Sequence, residues 1–86
     1  MIEVTRKSDD AFEVVVGEGD DTTRHIVTLD DDYHRKLTNG SVTKPELIRR
    51  SFEFLLEREP KESILSKFNL RLINRYFASY ETEIGL

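Results

Sequence analysis

Two histidines flank a run of carboxylates: His25 and His34 stand either side of Asp30, Asp31 and Asp32. These residue types ligate metals, but zinc needs ligands that converge tetrahedrally and calcium needs alternating oxygen ligands around a glycine. The segment "DDDYH" offers neither spacing. His25 falls on the apolar side of a strand pattern and His34 in a helical turn, so core and capping roles are expected. The glycines of "GEGDD" (17–21) suggest a phosphate loop. No Lys-Ser/Thr and no helix follow, and the carboxylates repel phosphate, so the segment reads as a hairpin loop. Ser63 and Ser66 lack a G-x-S-x-G elbow and an identifiable base, and the chain has no cysteine nucleophile. The expectation is a protein that is not an enzyme, with no cofactor, no metal and no implied small-molecule ligand.

Basic residues offer a different chemistry. Lys67, Arg71 and Arg75 recur every four residues beside Asn74, which on a helix draws a basic line. Thirteen Lys and Arg against 17 Asp and Glu give a net charge of −4, so the chain as a whole is repelled by polyphosphate. Acidic residues crowd the first third and basic ones come later, so a local basic face is compatible with that total. A solvated face is the expected role of the line. The aromatic residues Phe52, Phe54, Phe68, Tyr76, Phe77 and Tyr80 follow helical spacing, which points to a shared core in place of a base-stacking platform.

The elements that position these residues are legible from their periods. In "IEVTR", "FEVVV" and "RHIVTL" apolar residues alternate, placing Ile2 and Val4, then Phe12, Val14 and Val16, then His25, Val27 and Leu29 on one face. Turn-forming Gly and Asp separate the three runs, which predicts an antiparallel meander. From Asp30 onward the period becomes about 3.6. "DDDYHRKLTNG" carries acids in its first turn and bases in its last, with Asn39-Gly40 as a left-handed stop. Thr43 and Glu46 form a capping-box pattern, Pro45 sits in the first turn, and Pro60 ends the helix. A shorter helical piece is expected around "PKESILSKF", then a helix "LRLINRYFASY" capped by Asn69, with "ETEIGL" frayed.

Between Lys44 and Glu59, Leu47, Ile48, Ser51, Phe52, Phe54, Leu55 and Leu56 fill about half the helix circumference. That arc predicts a central helix covered on two sides, by the sheet on one and by the C-terminal helix or a second copy on the other. Residues 1–86 are expected to form a single domain of α+β class: a three-stranded antiparallel meander (1–29), then three or four helices (30–86) packed on one face. A chain of this length buries only roughly 60–65% of its unfolded surface. No apolar run approaches the roughly 20 residues needed to cross a bilayer. The start has no secretory succession and cysteine is absent, so a cytoplasmic protein that does not engage membranes is expected.

Residues 24–59 resemble the ribbon-helix-helix family of small dimeric DNA-binding regulators, which includes many antitoxins. The likeness rests on the strand "RHIVTL", the acidic-capped helix "DDDYHRKL", the turn "TNGSVTKP" and the helix "ELIRRSFEFLLER". The resemblance implies that Arg24, Ile26 and Thr28 face DNA from a two-copy ribbon, while amides near Val42, Thr43 and Lys44 hold a phosphate. Lys67, Arg71 and Arg75 would extend that nucleic-acid surface. The C-terminal half is similar to small prokaryotic proteins of unknown function, which implies no activity. The principal expectation is a non-catalytic interaction module, homodimeric or bound to another protein, with Ile48, Phe52, Leu56, Tyr76 and Tyr80 as interface candidates. A regulator or antitoxin of ribbon-helix-helix type is the alternative.

Overall fold

Alternation in the first third does produce strands: β1 (Ile2–Arg6), β2 (Ala11–Glu18) and β3 (Asp21–Thr28) form an antiparallel meander. The computed structural model describes residues 1–85. Gly17 adopts φ +114°, and a Cβ there would run into the Asp21 carbonyl, so only glycine admits this closeness of β2 and β3 beside their two-residue turn. Phe12, Val14, Val16, His25, Val27 and Leu29 are buried on the face that carries the helices. The opposite face, with Glu13, Val15, Arg24, Ile26 and Thr28, is partly or fully exposed.

α1 (Asp31–Thr38) begins where the Asp30 side chain accepts the Tyr33 N–H and ends at Asn39, with φ 53°. α2 (Lys44–Leu56) is capped by the Thr43 hydroxyl, which accepts from the Glu46 N–H. The Glu46 carboxylate turns instead to Arg50, 3.0 Å away. Pro60 precedes a single 3-10 turn at Lys61–Ser63, followed by β4 (Lys67–Asn69), a second 3-10 turn (Leu70–Leu72), α3 (Ile73–Tyr76) and α4 (Tyr80–Ile84).

Two expectations change here. The sheet has four strands in the order β1-β2-β3-β4, and β4 runs parallel to β3, with Val27 opposite Phe68. The expected meander of three antiparallel strands is therefore part of a mixed sheet, because the outer edge of β3 offers unpaired backbone groups that the returning chain fills. The last expected helix is broken as well: Phe77 is extended at φ −129°, and α4 turns Tyr80 and Ile84 back into the core. Of the tail expected to fray, residues 81–84 are helical and Ile84 is buried, while Leu86 lies outside the described residues.

The two-sided covering of α2 is present. Phe52 meets His25 at 5.3 Å and Phe68 at 6.1 Å between ring centroids, while Phe54 meets Tyr80 at 5.2 Å and Phe77 at 5.9 Å. Ser51 lies between the two contacts, its hydroxyl 2.6 Å from that of Tyr80. Leu55 is 4% exposed, so Leu55→Ala is expected to destabilise the fold by about 2–5 kcal/mol. A urea titration checks this, with an unchanged midpoint as the contrary result.

Candidate interaction surface

The residues named above as partner contacts separate into two groups. Ile48, Phe52 and Tyr80 are fully buried and make the core, so they are not surface. The partner that their apolar arc requires is the C-terminal segment of the same chain. Leu56 is half-buried against the core, and Tyr76 is 68% exposed.

Tyr76 stands on one wall of a groove of about 240 Å³. Buried Leu55, Ile64 and Phe68 also line it, together with Leu65, which is 46% exposed, and Glu59, which supplies a carboxylate. Away from Met1, Leu65 and Tyr76 are the large apolar side chains most exposed among the described residues, and they share this groove.

His25 builds the Leu65 wall. Its Nδ1 lies 2.8 Å from the Leu65 carbonyl, which only accepts, so Nδ1 carries the proton. In the neutral ring Nε2 then accepts from the Thr23 hydroxyl, 2.8 Å away. The neighbouring Ile26 N–H donates to the Ser66 carbonyl at 2.8 Å, and the two bonds fix residues 65–66 ahead of β4. The expected core role of His25 thus includes holding a loop. His34 lies elsewhere, its Nε2 2.6 Å from the Val42 carbonyl. Among the described residues no cluster of three or more His, Cys, Asp or Glu is arranged to hold a metal ion.

Of the nucleic-acid candidates, Arg24, Ile26 and Thr28 of β3 and Lys67 of the paired β4 share the open sheet face, whereas Thr43, Lys44 and Arg71 are engaged elsewhere. Lys44 is buried, its ammonium 2.6 Å from Asp31, 2.9 Å from Asp10 and 3.2 Å from the Asp9 carbonyl. Burial opposes its charge, but the Asp31 and Asp10 carboxylates prevail and raise its pKa. Its positive charge is already matched. Arg71 grips both oxygens of Asp30 at 3.1 Å and lies 4.6 Å from the centre of the Tyr33 ring. Lys67 belongs to a strand and Arg75 to α3, so the basic line of a continuous helix does not form. Thr43 uses its hydroxyl on its own helix. Arg24 lies 3.5 Å from Glu13 on the open sheet face, where Ile26 and Thr28 are half-buried. β3 has β2 on one side and β4 on the other, so over residues 26–28 neither edge is open for an intermolecular ribbon.

A buried tyrosine organises the opposite end. Tyr33 donates to Glu81 at 2.8 Å, and burial, then that carboxylate, push its phenol far above the usual range. Glu81 in turn is held below the ordinary carboxylate value by the Tyr33 hydroxyl and by Lys36. Asp30 is lowered by the Tyr33 N–H, against some burial, and then by Arg71. Among the described residues no helix is long and apolar enough to cross a membrane. Compared with known proteins, the chain matches no family model, no curated protein and no solved structure.

Two outcomes follow from this geometry. His25→Leu leaves the Leu65 carbonyl without its donor, with an expected loss of about 1–3 kcal/mol. Hydrogen exchange should quicken at Ile26, and an unchanged rate there would contradict the loop-holding role. The lowered carboxylates Asp30, Asp31 and Glu81 contribute stability that is complete above the ordinary value of about 4 and is lost as pH falls through their depressed values. Unfolding midpoints should therefore hold from neutral pH down to about 5 and fall below about 4, more shallowly in Asp30→Asn.

Proposed function

We propose that the chain is a non-catalytic interaction module whose groove between residues 63–68 and α3 takes a large apolar side chain from a partner polypeptide. The observation that carries this reading is the convergence of Leu65 and Tyr76 on one apolar groove, these being, apart from Met1, the exposed large apolar side chains among the described residues. Tyrosine suits such an anchor, since it combines apolar area with few rotatable bonds. Glu59 has no cationic partner among the described residues, which favours a partner with Lys or Arg next to its apolar residue. Absence of cysteine is in keeping with a cytoplasmic setting.

A DNA-binding regulator of ribbon-helix-helix type has less support. It rests on the residue classes of 24–59, whereas Lys44 and Arg71 already face carboxylates and β3 lies inside the sheet.

Selection from a random peptide library on the immobilised protein is expected to enrich a large apolar residue adjacent to Lys or Arg. Tyr76→Glu, at an exposed position, should weaken the enriched peptides by about tenfold or more, equivalent to about 1.4 kcal/mol, with the unfolding midpoint unchanged. Peptides that bind wild type and variant equally, or a selection that enriches none, would remove the reading.

A further inference from the structure

The two outer edges of the sheet are unequal. β4 is three residues long, whereas β1 offers five, Ile2–Arg6, and contains no proline. On β1 the Met1 carbonyl accepts from the Gly17 N–H at 2.9 Å, and the Lys7 N–H donates to Ala11 at 2.8 Å. In an antiparallel ladder such bonds fall on alternate residues, so Glu3 and Thr5 also bond toward β2. The backbone N–H and C=O groups of Ile2, Val4 and Arg6 then point away from the sheet. Among the described residues no hydrogen bond reaches them.

We infer that β1 pairs antiparallel with β1 of a second copy, about a two-fold axis through Val4, giving one continuous eight-stranded sheet. Backbone direction and charge together select this register. Outward-facing residues must meet outward-facing residues, so a slip of one position is excluded. Centring on Val4 sets Ile2 against Arg6 of the second copy and Val4 against its own mate, for about six backbone hydrogen bonds. Centring on Glu3 would oppose like charges, and centring on Thr5 gives up about a third of the bonds.

Side chains agree with the Val4 register. On the open face Glu3 lies opposite Thr5 of the second copy and diagonal to its Lys7, within reach of a long side chain. Glu3 has no cationic partner among the described residues, and Lys7 has only Glu13 at 3.8 Å. On the other face Val4, half-buried in one chain, gains its mate across the joint. α2 packs on β1, and the two-fold axis stands perpendicular to the sheet, so both α2 helices lie on the same side of the joint sheet. The contact is small, which makes this a reversible, concentration-dependent dimer. It uses none of the groove residues.

Sedimentation of the full chain up to millimolar concentration tests the inference. The expected result is a mass that rises toward twice that of the monomer, and a Val4→Pro variant that stays monomeric with its circular dichroism intact. Because the Val4 N–H points outward, proline there removes no bond within the chain. The absence of native cysteine allows a second test. Val4→Cys should link into a disulfide dimer at concentrations where Thr82→Cys, at an exposed position, remains monomeric, since opposed residues of such a pair lie about 5.5 Å apart. A wild-type protein monomeric throughout, or a dimer that survives in folded Val4→Pro, overturns the inference. If Val4→Pro does not fold, linkage at residue 4 no faster than at residue 82 overturns it. Tyr76→Glu is expected to leave the dimer unchanged, which separates this surface from the groove.

Discussion

The double covering of α2 is the constraint on which the rest of the molecule depends. Phe52 is pressed onto His25 and Phe68, while Phe54, a little over half a turn further round, is pressed onto Phe77 and Tyr80. Through the first contact the helix holds the sheet and its parallel strand together. Through the second it gathers the C-terminal turn. A chain of 86 residues thus obtains a single continuous core in which one helix is shared between two surfaces. The groove is a by-product of that arrangement: it lies where the return toward β4 and the short α3 fail to meet completely over Leu55.

Elements with strong local signals were legible in the sequence. Period-two alternation placed β1, β2 and β3, and it also put His25 on the buried face. Asp30, Thr43 and Asn39 act at helix ends as their side-chain chemistry and backbone tolerance require. β4 was not legible. "SKFN" is too short to show alternation, and Ile64, Leu65 and Phe68 imitate a helical face, so its extended form is set by the vacant edge of β3 and by nothing in its own residues. The apolar arc of α2 predicts covering on two sides, which the fold has, but periodicity is silent on whether a facing surface belongs to the same chain. Tyr76 and Tyr80 shared one stripe in the sequence and diverged in the fold, because the chain straightens at Phe77 between them. That divergence separates a groove wall from a core residue.

Polar interactions in the interior follow one rule: each buried polar group has a partner. Tyr33 finds Glu81, Ser51 finds Tyr80, His25 finds Thr23 and Leu65, and among the described residues no buried side-chain nitrogen or oxygen is left without one. Much of the charge that suggested nucleic acid is absorbed in the same way. Lys44 joins the β1–β2 loop to the start of α1, and Arg71 joins the second 3-10 turn to the cap of α1. These residues serve as cross-links between segments distant in sequence, which explains why their spacing along the chain carried no functional meaning.

The parallel strand has a consequence for the order of assembly. Pairing residues 26–28 with 67–69 closes a loop of about 40 residues for only three residues of ladder. Hairpins of the meander close far shorter loops and therefore form first. By the same loop-closure argument the stretch from β4 to α4 is expected to dock last and to detach first. Since Leu65 and Tyr76 both ride on that stretch, a partner bound in the proposed groove would act as a clasp on the carboxyl-terminal third, coupling occupancy to completion of the fold.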